Sequence, residues 1–149
     1  MRPMKELFKI FYGDWLDWFE IEKVDKKEVG KEKAIELIIH FKEKPEQAPR
    51  KNLVQKGFCN PLELIDHPVR GMFIYVKFYR RRWQDPKTGE EIRNNYDLRF
   101  PGTKLTKKFA DFLKSEDPKQ VHELLDGVPY LRDRIKKDLD VVQKSSLGI

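Results

Sequence analysis

The feature that most constrains the fold of this chain is the tract at residues 72–83, MFIYVKFYRRRW. A β-strand points successive side chains to opposite faces of a sheet, so each face can be read from alternate positions. One face carries Met72, Ile74, Val76, Phe78, Arg80 and Arg82. The other carries Phe73, Tyr75, Lys77, Tyr79, Arg81 and Trp83. Both faces end in cationic and aromatic residues, so we predict a strand that starts in a core and leaves it at about residue 79.

A turn and a returning strand are predicted directly after this tract. Residues 84–89 read QDPKTG. Pro86 presets one backbone angle, and Gly89 permits the left-handed conformation that closes such a turn. Residues 90–100 are the expected return strand, interrupted near Asn94 and Asn95. The tract is therefore one arm of a predicted β-hairpin, with residues 80–83 at its projecting end.

Two interpretations of this projecting end remain open on sequence grounds. Three adjacent guanidinium groups beside an indole can bind phosphates bidentately or stack on bases, and a two-stranded ribbon fits the major groove of DNA. Alternatively, the three arginines pair within the hairpin with Asp85, Glu90 and Glu91, and Trp83 caps the core.

The rest of the chain predicts an α+β protein with an N-terminal helix, antiparallel β-hairpins and C-terminal helices. We expect a helix at 5–19 with a break at Gly13 and Asp14. Strands are expected at 19–24 and 34–41, on either side of a polar turn at 25–33. A loop at 42–56 should follow, and then a strand at 62–66 before a turn at 68–71. Helices are expected at 107–114 with Thr106 as N-cap, at 117–127 with Asp117 as N-cap, and from Pro129 onward. The corresponding domain ranges are 1–44, 57–104 and 105–149.

The last two helices also resemble a helix-turn-helix, because a short connection at residues 127–129 precedes a basic helix. Glu123 lies where the first helix of that motif usually needs a small residue, so a simple helical cap is the alternative. If the motif is present, its contacts are expected from Arg132, Arg134, Lys136 and Lys137.

Composition favours an anionic partner and a reducing compartment. Lys and Arg number 31 against 25 Asp and Glu, a formal net charge of +6. Such an excess suits nucleic acid, although a highly charged surface also maintains solubility. The single Cys59 excludes an internal disulfide. The chain has no apolar run of about 18 to 20 residues that would suggest a membrane span, so we expect a cytoplasmic protein.

Metal, cofactor and nucleophile chemistry are not predicted. Cys59, His40, His67 and His122 lack the paired spacing of a zinc site. Neither a base placed to activate Cys59 nor a phosphate-binding glycine loop is visible. We therefore expect no metal, no cofactor and no catalytic residue.

Several short motifs resemble one known family when they are taken in order. They are KGF at 56–58, DHPVRG at 66–71, RRRW at 80–83, TG at 88–89, GTKLT at 102–106 and FADFLK at 109–114. This string is similar to the N-terminal-region proteins, encoded by the first reading frame, of split bacterial insertion-sequence transposases of the ISAon type. The similarity covers residues 14–114.

The resemblance implies a non-catalytic component that recognises double-stranded DNA at insertion-sequence ends and works with a separately encoded catalytic transposase subunit. Related larger transposases carry a zinc knuckle at the turn of the arginine hairpin, whereas residues 85–89 here lack cysteine. We therefore predict a zinc-free ribbon that is held by turn chemistry and packing.

The leading hypothesis is DNA binding. Its expected contacts are Arg70, Lys77, Tyr79, Arg80, Arg81, Arg82, Trp83, Arg93, Arg99, Lys104, Lys107 and Lys108. The second is a docking module for the catalytic subunit, which would contact it through the aromatic N-terminal helix or the C-terminal helices without binding DNA. The third, an enzyme in its own right, is disfavoured because hairpins followed by helices do not supply the αβ layout and three carboxylates of a transposase core.

Overall fold

The computed structural model of the protein describes residue 10, residues 12–115 and residues 117–146. It confirms the α+β class. The strands are β1 (Phe19–Val29), β2 (Ala34–Glu43), β3 (Val54–Phe58), β4 (Leu62–Val69), β5 (Met72–Tyr79), β6 (Arg81–Gln84) and β7 (Glu91–Ile92). The helices are α1 (Trp15–Trp18), α2 (Lys107–Ser115), α3 (Pro118–Asp126), α4 (Leu131–Arg134) and α5 (Lys136–Ser146), and Pro45–Gln47 form a 3-10 helix.

The strands form two sheets. The larger has the order β1-β2-β5-β4, and the smaller has the order β3-β6-β7 with antiparallel neighbours. Strands β4 and β5 are joined by Arg70 and Gly71, whose φ angles are 50° and 74°. Two consecutive positive φ values are typical of the tight turn whose twist matches a β-hairpin. β1 lies next to β2 and β4 next to β5, as the two hairpins predicted around residues 25–33 and 68–71 require, and β1, β2 and β4 are longer than expected.

The expectation that residues 72–83 form one strand leaving the core near residue 79 is wrong. The tract divides at Arg80 into β5 of the larger sheet and β6 of the smaller. Along β5 the side chains of Val76 and Phe78 are fully buried, whereas along β6 those of Arg81 and Trp83 are buried and Arg82 is exposed. Because the chain passes to a different sheet at Arg80, the buried positions change from even numbers at the end of β5 to odd numbers in β6.

Three further boundaries differ from the sequence predictions. The stretch at 42–56 is not simply a loop, since it contains the 3-10 helix and the start of β3. The return strand predicted at 90–100 is reduced to Glu91–Ile92. The helix predicted from Pro129 is divided at Ile135 into α4 and α5.

The predicted N-terminal helix falls partly outside the described residues, which exclude 1–9 and 11. Within them, residues 13 and 14 form a turn, as predicted, and α1 is a single helical turn. The strand predicted from residue 19 begins there as β1, and the helix expected to extend to residue 19 ends at Trp18.

The chain forms two compact units, each assembled from three separate segments. The first unit comprises Met1–Lys23, His40–Leu62 and Lys77–Tyr96, and the second comprises Val24–Ile39, Glu63–Val76 and Asp97–Ile149. The domain ranges read from the sequence were continuous, whereas these units are not.

Aromatic rings pack in the core of the first unit. Trp15 meets Phe78 at 5.1 Å and Phe41 at 5.6 Å between ring centroids, in edge-to-face geometry. Phe19 packs against Phe78 at 5.1 Å and against Tyr96 at 4.9 Å. Such pairs stabilise a core beyond the area they bury. Trp15 is therefore part of this core.

The second unit has a largely aliphatic core between strands and helices. Its buried cluster consists of Ile65, Phe73, Leu105, Phe109, Ala110, Leu113, Val121, Leu125, Val128, Leu131, Ile135 and Val142. Both predicted N-caps are present. Thr106 Oγ1 accepts a hydrogen bond from the Phe109 N–H at 3.2 Å, and Asp117 Oδ1 accepts one from the Lys119 N–H at 2.8 Å. These bonds satisfy donors that a helix N-terminus leaves unpaired.

Candidate nucleic-acid interface

The positive charge of the chain is concentrated in the first unit. Its three segments contain 15 Lys and Arg against 10 Asp and Glu, and the excess lies in His40–Leu62 and Lys77–Tyr96, which together contain 11 against 5. The second unit contains 16 Lys and Arg against 15 Asp and Glu. An anionic partner that responds to net charge is therefore attracted mainly to the first unit.

Arg81 is a structural residue of the first unit. Its side chain is 6% exposed and stacks over the Phe58 ring, with the guanidinium carbon 5.0 Å from the ring centroid. Its Nε donates to the Glu43 carbonyl oxygen at 2.7 Å, and its backbone N–H donates to Glu43 Oε1 at 2.9 Å. Arg81 therefore does not present its guanidinium to a partner in this conformation.

The Glu43 carboxylate that holds this arrangement is fully buried. Besides the Arg81 N–H, it accepts hydrogen bonds from Asn94 Nδ2 at 3.0 Å and from the Tyr96 hydroxyl. Burial, together with the hydrogen bond and charge of Glu43, raises the pKa of Tyr96 above its ordinary value. Three donors on a single buried carboxylate explain why this charge is tolerated inside the unit.

Arg80 and Trp83 are also held within the first unit. Arg80 Nη1 donates to the Asn94 carbonyl oxygen at 3.3 Å and to Asn95 Oδ1 at 3.0 Å. Trp83 is 6% exposed and is paired across the sheet with Gln55 and Ile92. The expected projecting Arg-Arg-Arg-Trp end is thus largely internal, and among these four residues Arg82 alone is exposed.

Arg82 takes part in an ion pair at the surface of the smaller sheet. Its Nη2 lies 2.6 Å from Glu91 Oε1, and the two side chains are 44% and 54% exposed. The hydrogen bond and charge of Glu91 raise the pKa of Arg82 above its ordinary value. The sequence left open that the three arginines pair with acidic residues of the same hairpin, and the Arg82–Glu91 pair agrees with that alternative.

The turn after β6 is ordered by Asp85. Its Oδ1 accepts a hydrogen bond from the Lys87 N–H at 2.8 Å, and Gly89 has a φ of 76°. The Lys87 N–H, with a further bond from Arg50 at 2.8 Å, lowers the pKa of Asp85 below its ordinary value. The predicted turn chemistry is confirmed, whereas the predicted pairing of Asp85 with the arginine tract is replaced by pairing with Arg50.

A groove of about 400 Å³ opens beside the Arg82–Glu91 pair. It is lined by Cys59, Asn60, Arg82, Glu91, Ile92 and Arg93. Arg93 is exposed, as is Lys56 on β3. The groove therefore brings two guanidinium groups and an amide to one place, a set of donors suited to phosphate oxygens.

The other candidate contacts of the predicted site are divided between the two units. Lys77 and Tyr79 are half-buried in the first unit, where the Tyr79 hydroxyl lies 2.9 Å from His40 Nδ1. The second unit holds Arg70, Arg99, Lys104, Lys107 and Lys108. Arg70 lies in the β4–β5 turn, and Lys107 pairs with Asp97. The sequence-predicted set is therefore not one surface of one unit.

Two of the proposed helix-turn-helix contacts are paired with acidic residues of the second unit. Arg134 Nη1 lies 2.9 Å from Glu36 Oε2, and its guanidinium carbon is 4.4 Å from the Phe73 ring centroid. Arg132 pairs with Asp126 at 2.8 Å. The side chains of Lys136 and Lys137 are exposed. Arg134 thus joins α4 to strand residues of its own unit.

The potential metal ligands are dispersed. In the part of the chain that the structure describes, no three His, Cys, Asp or Glu side chains converge to form a potential metal site. His67 Nδ1 lies 2.7 Å from the Pro68 carbonyl oxygen, and its ring packs against Phe112 at 4.7 Å. His122 contacts Arg132.

Sequence reasoning missed Glu43 and the groove. A signal for Glu43 was present, because Ile39, Phe41 and Glu43 occupy alternate positions of one strand and therefore share a face. All three are buried. The groove could not be predicted from neighbouring residues, because Cys59 and Asn60 are distant in sequence from Arg82 and Arg93.

Comparisons with protein-family models, curated proteins and solved structures found no match to this chain. Among the described residues, no helix has both the length and the apolar character needed to cross a membrane.

Proposed function

We propose that this protein is a non-catalytic DNA-binding accessory component of a transposase, which recognises insertion-sequence ends together with a separately encoded catalytic subunit. The role in transposition rests on the ordered motifs between residues 56 and 114 that resemble the ISAon-type proteins. The expectation that it binds DNA rests in addition on the charge of the first unit and on the groove beside β6.

The observation that carries the proposal is the meeting of Arg82 and Arg93 in one groove of the basic unit. Phosphate contacts provide most of the affinity in non-specific DNA binding and position a protein on the duplex. The proposed interface is accordingly centred on the exposed Arg82, Arg93 and Lys56. Arg81 and Trp83, which are buried, are proposed to support this surface from beneath.

The test is a salt-titrated binding assay with the Arg82→Ala/Arg93→Ala double variant. We expect its affinity for a duplex of the insertion-sequence end to fall about tenfold or more. The slope of log affinity against log salt should decrease by about two, since each lost phosphate contact removes about 0.9 from that slope. The matched control is Arg99→Ala/Lys104→Ala, which removes two exposed positive charges from the second unit and should reduce affinity less.

Three outcomes separate the alternatives. Equal affinity of the parent for the end duplex and a scrambled duplex would restrict the proposal to general phosphate binding. Equal losses in the two double variants would contradict the assignment of the interface to the first unit. If the duplex is not bound, but the catalytic subunit co-purifies through nuclease treatment and high salt, the protein is a docking module and DNA binding is rejected.

A further inference from the structure

Two neighbouring arginines of β6 are held in different ways. The Arg81 side chain is buried, and its Nε donates to the Glu43 carbonyl oxygen at 2.7 Å. Arg82 interacts with Glu91, and both of these side chains are about half exposed. An exposed ion pair contributes little net free energy in water, so it opens readily, whereas withdrawing the buried guanidinium would leave polar groups unpaired inside the fold.

The groove beside β6 contains two further hydrogen-bond donors close to Arg82. Arg93 and the Asn60 amide line the same groove as Arg82 and Glu91. A guanidinium group binds carboxylate and phosphate oxygens with the same fork geometry. The volume of the groove, about 400 Å³, lies within the range of about 300 to 1,000 Å³ that is usual for ligand sites.

We propose that this groove is a phosphodiester subsite in which the Glu91 carboxylate occupies the position that a phosphate of duplex DNA takes in the complex. On binding, a phosphate replaces Glu91 as the partner of Arg82, while Arg93 and Asn60 donate to the same group. Glu91 is therefore an intramolecular competitor that lowers the affinity of the surface for DNA. This inference rests on the proposed DNA-binding function and assigns a regulation to its site.

The experiment compares Glu91→Gln with Glu90→Gln in the full chain. Both substitutions remove one negative charge from neighbouring exposed residues, but Glu91 lines the groove and pairs with Arg82, whereas Glu90 is not among the residues that line it. We expect Glu91→Gln to bind a duplex about threefold more tightly than the parent, as loss of an exposed ion pair of ordinary strength implies. The gain for Glu90→Gln should be clearly smaller.

The competition requires Arg82, so both substitutions are repeated in an Arg82→Ala background. The gain from Glu91→Gln should disappear there, which is the coupling that a double-mutant cycle measures. An equal gain from Glu90→Gln, or a gain from Glu91→Gln that persists without Arg82, would overturn the inference and leave DNA binding intact. If the parent chain does not bind the duplex, the proposed function itself fails. If the parent binds and the Arg82→Ala/Arg93→Ala variant binds equally well, the interface lies outside this groove and this inference fails.

Discussion

The first unit buries the guanidinium of Arg81 and the carboxylate of Glu43 beside its aromatic core, whereas the second unit is built on a cluster of twelve buried apolar residues. The second unit also buries two carboxylates, Glu36 and Asp66, each with a partner on a helix or its cap. Each unit thus holds an arginine against an aromatic ring, but the side chain of Arg81 is buried whereas that of Arg134 is one-third exposed. Charge counted from a sequence overstates the charge available for binding when part of it is required inside the fold.

The largest expected effect is on the first unit, from removal of its buried carboxylate. Glu43→Ala removes the acceptor of the buried Arg81 backbone N–H and an acceptor of Asn94 and Tyr96, while the Arg81 guanidinium keeps its bond to the carbonyl oxygen of residue 43. Each donor left unpaired inside the fold costs about 1 to 3 kcal/mol, so we expect the free energy of unfolding to fall by about 3 to 5 kcal/mol in urea denaturation. Glu46→Ala, on the exposed 3-10 helix, is the control and should change it by less than about 0.5 kcal/mol. A loss below about 1 kcal/mol for Glu43→Ala would show that the first unit does not depend on its buried charge.

In the second unit, the corresponding change is truncation of an aliphatic side chain. Leu131 is fully buried in the helical cluster. Leu131→Ala removes apolar contacts and leaves a cavity, so we expect a loss of about 3 kcal/mol in the same assay. Val141→Ala on α5, where the side chain is 39% exposed, should stay within about 0.5 kcal/mol of the parent. Similar losses for the two variants would contradict the role of the apolar cluster.

A smaller effect is expected at the start of α3. Asp117→Ala removes the acceptor of the Lys119 N–H. The typical cost of losing such an N-cap is about 1 kcal/mol. Asp111→Ala, an exposed aspartate within α2, is the matched control. If both substitutions change the melting temperature equally, the cap does not stabilise the second unit.

The smallest expected effect is a pH dependence from Asp66. Burial raises the pKa of this carboxyl above its ordinary value of 3.8, against a hydrogen bond from Thr106 Oγ1 at 2.7 Å. The folded state therefore binds this proton more tightly than the unfolded state does. The resulting stabilisation is complete below pH 3.8 and is lost as the pH rises through the raised pKa.

The measurement for Asp66 is the free energy of unfolding as a function of pH. Asp66→Asn retains an acceptor for Thr106 and does not titrate. The stability of the parent relative to Asp66→Asn should accordingly fall between about pH 4 and the raised pKa, and then level off. If the stability difference between the parent and Asp66→Asn is constant or rises with pH in this range, the pKa of Asp66 is not raised in the folded state.

Local interactions explain which parts of this fold were predictable. The caps at Thr106 and Asp117 depend on residues two or three positions away, and both were predicted. The turn after β6 depends on Asp85 and Gly89, which also lie close together in sequence. In each case, the bond that stabilises the element closes within a few residues, so the residue types alone predict it.

The candidate site was harder to predict because its partners are distant in sequence. Arg81 is bound by Glu43, and Arg80 by Asn94 and Asn95. A charged tract next to acidic residues predicts pairing in general, but it does not identify which arginine is buried. The Arg82–Glu91 pair was among the predicted alternatives, whereas the burial of Arg81 was not.

By itself, the sequence determined the α+β class, the positions of most turns and caps, and the net positive charge of the chain. Only the tertiary structure decided the orientation of residues 80–83. A strand keeps its alternation only while it stays in one sheet, and the break at Arg80 moved the chain from one sheet to the other. Arg81 and Trp83 were thereby turned inward and Arg82 outward, because the strands that receive them are supplied by distant parts of the chain.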